Sequence, residues 1–177
     1  MARKTFISYK YSDGTSTRDR LIQAMGTDAT YYTGERSDSE DMSGLAAKTI
    51  QGHLADMIYP TSVMIVVISR NVGQSAWVKW EIEYATKRVP RDGRQSQPNG
   101  IVMAIEDDLL NEQNQYNPNV TTQLIQEVSD PEIVRVSNLL ANPSYYVERA
   151  FERAQARDEE CKDELRNFAA ALFADKR

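Results

Sequence analysis

Acidic side chains are the main chemical resource of this sequence. Its 177 residues include 26 Asp and Glu but a single histidine, His53, and a single cysteine, Cys161. Any Ser-His-Asp or Cys-His catalyst would depend on His53 alone. The same two residues are too few soft ligands for a structural zinc site, and a lone cysteine excludes an internal disulfide. Chemistry therefore falls to carboxylates, which move protons or stabilise developing positive charge. One of them is singled out by its spacing. On a helix from Ala76 to Val89, advancing roughly 100° per residue from Trp77, the apolar residues Val78, Ile82, Ala85 and Val89 fall at roughly 80° to 140°. Lys79, Glu83 and Lys87 fall on the opposite side, whereas Glu81 lands at roughly 40°, inside the edge of the apolar sector. A carboxyl group there is partly desolvated, and its proton affinity rises unless a partner offsets the burial. Two other fates stay open for it: snorkelling past Trp77 to water, or pairing with Arg88.

The elements that must position this residue alternate between short apolar runs and amphipathic stretches. Thr5 to Tyr9 reads as a first strand, followed by a turn-rich stretch through Ser12, Asp13 and Gly14 and a short helix from Arg18 to Met25 that stops at Gly26. A second strand is expected over Thr27 to Thr33, then a polar loop from Gly34 to Asp41. A helix face follows, marked by Ala46, Ile50, Leu54, Met57 and Ile58. The β-branched run within Ser62 to Ser69 has the character of a central parallel strand covered on both faces. Ser75 is placed to cap the helix that carries Glu81, and Pro90 to stop it. Past a basic loop, Lys87 to Arg94, come a fourth strand over Gly100 to Ile105, a polar excursion over Glu106 to Asn119, a helix over Val120 to Val128 and a fifth strand over Ile133 to Val136. This alternation predicts an α/β sandwich with a mainly parallel sheet of about five strands, whose ligands bind beyond the carboxyl ends of the strands.

The C-terminal part has a different pattern. Asn142 and Pro143 suit a helix cap and first helical position. From there Val147, Phe151, Ala154, Asp158, Cys161, Leu165, Phe168 and Leu172 alternate spacings of four and three, an apolar stripe broken only at Asp158. One long helix of this kind closes the core or, where it outruns the sheet, offers a contact for a homo-oligomer. On this stripe Cys161 reads as an inert core thiol, and His53, spaced helically from Ile50 and Met57, reads as a partly exposed helix residue. At 41% apolar and 27% charged residues the chain is sized for one domain with a real core. A net charge of −5 argues against nonspecific nucleic-acid binding. The longest apolar run, Val63 to Ile68, falls short of the roughly 20 residues of a membrane span. The expected setting is the cytoplasm, without nucleic acid or membrane as partner.

Two segments carry a resemblance. Lys4 to Asp13, Lys-Thr-Phe-Ile-Ser-Tyr-Lys-Tyr-Ser-Asp, resembles the opening strand and loop of TIR domains. Ser62 to Ile82 resembles their third strand and following helix, where Ser75-x-Trp77-Val78-x-x-Glu81-Ile82 matches the pattern that holds the catalytic glutamate of NAD-consuming members. The resemblance runs from Lys4 to Glu106 and is nearest to the TIR-like proteins of bacterial Thoeris anti-phage systems. It implies a flavodoxin-like, TIR-like domain over residues 1–141, with residues 142–177 as a C-terminal helix on the same domain. It implies NAD as substrate, no cofactor beyond it and no metal, with cleavage of the nicotinamide–ribose bond and an ADP-ribose-derived, cyclic signal for a partner effector protein. Glu81 would be catalytic, and Phe6, Ser8, Tyr9, Lys10, Tyr11, Asp13, Arg70, Ser75 and Trp77 would bind substrate, with the loop from Gly34 to Asp41 gating the cleft. Some Thoeris relatives carry an aromatic-His-Tyr triplet where this chain has Tyr9-Lys10-Tyr11, so Lys10 is assigned instead to the diphosphate, with Arg70 and the basic loop as further donors. The chemistry suits a chain poor in histidine. Nicotinamide leaves the pyridinium as a neutral base, so no general acid is needed, and a single carboxylate can stabilise the oxocarbenium charge where ordinary glycosidases use two. Two further readings stay open: a non-catalytic TIR scaffold acting by self-association, and glycosyl transfer like that of nucleoside deoxyribosyltransferases.

Overall fold

The computed structural model describes residues 3–31 and 45–174. Strand β1 (Thr5–Ser8) leads into α1 (Tyr11–Met25), a 3₁₀ turn at Gly26–Asp28 and β2 (Ala29–Tyr31). Next come α2 (Leu45–Ile58), β3 (Val63–Ile68) and α3 (Ala76–Ala85), then a small hairpin of β4 (Pro90–Arg91) and β5 (Arg94–Gln95). The chain ends with β6 (Gly100–Ile105), α4 (Val120–Val128), β7 (Glu132–Arg135), α5 (Val136–Ala141) and α6 (Pro143–Ala174). Five strands form one parallel sheet in the order β2-β1-β3-β6-β7. The apolar runs of β3 and β6 lie at its centre, and both are buried along their whole length.

Alternation along the strands splits the core in two. Phe6, Met64, Val66, Ile101 and Met103 face one layer with Leu54, Val78, Ile82 and Ile125, from α2, α3 and α4. Ile7, Ile65, Val67, Val102 and Ala104 face the other with Leu21, Leu139, Val147 and Ala150, from α1, α5 and α6. Helices cover both faces, as parallel sheets require. Among the described residues no helix is long and apolar enough to cross a membrane.

Several boundaries differ from the sequence reading. Helix α1 starts at Tyr11, seven residues before the expected Arg18. Gly14 is no helix breaker here: it is buried, and a Cβ on it would lie 3.1 Å from Tyr9 Cβ and 3.7 Å from Val67 Cγ1, so its missing side chain lets α1 settle on the sheet. Helix α3 ends at Ala85 rather than Val89. The Val89 amide is bonded to Ser96 Oγ and the Ser96 amide to the Val89 carbonyl, which draws the chain into the hairpin. Its turn, Asp92-Gly93, has positive φ at both residues, the geometry that Asp-Gly favours in two-residue hairpins. The second strand begins at Ala29, two residues later than expected, and the fifth begins one residue earlier, at Glu132. The expected gating loop from Gly34 to Asp41 and the flanking Tyr32 lie outside the described residues.

Helix α6 spans 32 residues, about 48 Å. Its first half packs on β6 and β7, and Asp158, the break in the apolar stripe, accepts from both Arg88 and Lys162. From Glu159 to Glu164 every side chain is exposed, Cys161 included. The reading of Cys161 as a core thiol is therefore corrected: the helix leaves the sheet before reaching it. His53 is exposed on α2, as a solvent-facing helix residue is.

Candidate active site at the carboxyl ends of the strands

Glu81 sits in the middle of α3, on the helix face turned toward the sheet. It is 6% exposed. Across the layer, Ser8 is the last residue of β1 and, by alternation with Ile7, points to the same side; its Oγ donates a hydrogen bond to Glu81 Oε2 at 2.5 Å. Among the described residues no cation is part of this contact, and Arg88, the alternative partner, is turned to Asp158 instead. Burial pushes the Glu81 carboxyl up to about 8, and the Ser8 hydroxyl offsets only part of that rise. Glu81 therefore holds its proton at neutral pH.

The other expected site residues fall on the same end of the sheet but divide by role. Ser75 caps α3, accepting from the Val78 amide at 3.3 Å, and Trp77 in the first turn is half-buried against the core. Tyr11, 46% exposed, opens α1 at the rim, and Lys10 lies buried at the position before it. Arg70, two residues past the end of β3, is exposed and stands 3.4 Å from Asp108. Three assignments are corrected. Phe6 is completely buried in the core beneath Ser8, which leaves it no surface for a ligand. Tyr9 lies on the opposite face of the sheet from Glu81, packed against α1, where Arg18 donates to its hydroxyl at 2.6 Å and covers its ring. Asp13 also looks inward: Ser69 Oγ donates to its Oδ1 and the Asn71 amide to its Oδ2, both at 2.8 Å.

The basic loop does not reach this end. It lies at the amino ends of the strands, and three of its four cations are paired locally, Lys87 with Glu83, Arg88 with Asp158 and Arg91 with Asp56. Sequence reasoning also missed Glu106. This residue directly follows β6, accepts from Thr17 Oγ1 at 2.8 Å and has its carboxyl raised, first by burial and then by the neighbouring Asp108 and Asp13. Its place after a parallel strand was the available signal.

A parallel sheet in the order 2-1-3-4-5, counted over its five strands, with a buried acid on the helix after the third, is the arrangement that the opening-strand and Trp77-to-Glu81 motifs imply. The family model described as Thoeris protein ThsB, TIR-like domain, matches residues 6–111, more than half of the chain. The chain belongs to this family. Membership in the Thoeris TIR-like family associates it with anti-phage defence, and the matched region contains Ser8, Asp13, the β3–α3 connection and Glu81. The elements from α4 onward lie beyond the match, although α6 is packed against β6 inside it.

Proposed function

We propose that the chain cleaves the nicotinamide–ribose bond of NAD, with Glu81 as the catalytic carboxylate, and retains the ADP-ribose part as a cyclic signal for a partner effector of the defence system. The observation that carries this reading is the Ser8–Glu81 pair: a buried acid, held by a hydroxyl and, among the described residues, by no cation, at the carboxyl end of a TIR-like sheet. In the cleavage the C1′–N1 bond breaks and its electron pair leaves with nicotinamide, a neutral base. Ribose C1′ is left as an oxocarbenium centre, whose charge an ionised Glu81 stabilises. Capture by water, with loss of a proton, gives linear ADP-ribose. Capture by a nucleophile of the same ADP-ribose closes a ring, which requires water to be kept out. In this reading the anionic diphosphate is met after β1 by Lys10, just before α1, in a chain of net charge −5.

The burial of Glu81 sets a pH dependence. Because the ionised form is needed, kcat/KM for NAD should rise with pH and level off above about 8, the value to which burial pushes the free carboxyl. The pyridinium of bound NAD favours the charged carboxylate, so the corresponding limb in kcat should lie lower. The test incubates the protein with NAD across pH 5.5 to 9.5 and follows nicotinamide and the ADP-ribose product by chromatography and mass spectrometry. A ring-closed product and a rising limb support the reading. Absence of nicotinamide at every pH, with the protein folded, contradicts it.

A further inference from the structure

Both carboxylate oxygens of Asp13 are used inside the protein, and both on the same target. Residues 69–75 connect β3 to α3 through one 3₁₀ turn, Val72–Gln74, and end at the Ser75 cap. Asp13, in the first turn of α1, accepts from the side chain of Ser69 at the start of this connection and from the backbone of Asn71 two residues on. The far side of the connection is held as well. Thr121 Oγ1 donates to the Val72 carbonyl at 3.4 Å, and a Cβ on Gly73 would lie 3.2 Å from Val120 Cγ2. The connection is thus held between the first turns of α1 and α4, and it fixes where α3 begins. Glu81 follows the Ser75 cap by six residues, about 9 Å along the helix. The same two chain segments therefore meet twice, once at Ser8 and Glu81 and once at Asp13 with Ser69 and Asn71.

We propose that Asp13 is a positioning residue: by holding the β3–α3 connection it sets the register of α3 so that Glu81 meets Ser8. Its negative charge is not required for this. An asparagine can accept from the Asn71 amide and donate to Ser69 Oγ, keeping both contacts, whereas alanine keeps neither. Only the kinetic arm of the test rests on the NAD-cleaving reading.

The experiment compares wild type, Asp13→Asn and Asp13→Ala in nicotinamide release, and in the ¹³C carboxyl resonance of Glu81, assigned by its absence from Glu81→Gln. Asp13→Ala should lower kcat about 10- to 100-fold with KM within about threefold, as expected for a displaced catalytic group. It should also shift the Glu81 resonance. Asp13→Asn should restore both. An Asp13→Asn variant as defective as Asp13→Ala would overturn the proposal, because charge rather than position would then matter; so would a rise in KM alone, or a Glu81 resonance unmoved in Asp13→Ala. Should wild type release no nicotinamide, the functional reading fails and the resonance by itself decides for or against the positioning role. Should Asp13→Ala fail to fold, Ser69→Ala, which removes one of the two contacts, is read in its place and should shift the Glu81 resonance; an unmoved resonance there overturns the proposal.

Discussion

Replacing Glu81 with glutamine is expected to make the protein more stable at neutral and alkaline pH while lowering nicotinamide release about a thousandfold, the scale of losing a preorganised charge at a developing cation. The two effects share one cause. Folded Glu81 holds its proton up to about pH 8, whereas the same group in the unfolded chain releases it near 4.5. Between those values the folded state binds more protons, so stability falls as pH rises through this window. Below it Glu81 imposes no penalty, and at pH 7 the penalty is on the order of 3 kcal/mol. Glutamine is always neutral, can still accept from Ser8 Oγ, and avoids the penalty. The gain in Tm should be small at pH 4 and grow to roughly 5 °C or more by pH 8. Thermal melts of both proteins from pH 4 to 8.5 check this. A gain independent of pH would mean that Glu81 is already ionised in the folded protein.

Gly100→Val should be severely destabilising, and Gly100→Ala clearly so. Gly100 is the first residue of β6, where α6 crosses the sheet; a Cβ there would lie 2.7 Å from the Phe151 amide nitrogen and closer still to the Ala150 carbonyl. These are backbone atoms and cannot rotate aside. Either α6 moves off, uncovering Val147 and Ala150, or β6 shifts against its partner β3. Overpacking of this kind typically costs about 1 to 3 kcal/mol for one methyl and more for a branched side chain, a large share of a domain's roughly 5 to 15 kcal/mol. Urea unfolding at constant pH measures it. Midpoints for both variants close to wild type would show that α6 is only loosely seated.

The sheet was legible because its chemistry is simple. Val63 to Ile68 and Gly100 to Ile105 are short continuous apolar runs, β-branched in the first case, the character of strands covered on both faces. The inward turn of Glu81 was legible from helical spacing alone, since angular position on a helix depends on no other part of the chain. Its partner was not: Ser8 lies 73 residues away, and only the parallel pairing of β1 with β3 brings the two together. Gly14 misled because a glycine excluded from solvent by close packing and a glycine at a turn look alike in sequence. Cys161 misled because a stripe shows which face of a helix is apolar, not where the neighbouring sheet ends. The substrate-binding roles expected for Tyr9 and Asp13 came from the resemblance of Lys4 to Asp13 to the opening segment of TIR domains. Strand alternation sends Tyr9 to the other face, and the β3–α3 connection occupies Asp13.

The most direct test of Glu81 as the catalytic carboxylate is a count of nicotinamide released from NAD by wild type and by Glu81→Gln, at equal concentration and pH 8.5, where the free carboxyl is ionised in a large share of molecules. Steady release by wild type and about a thousandfold less by a variant that melts at the same or a higher temperature is the predicted result. Equal release by the two proteins would contradict it.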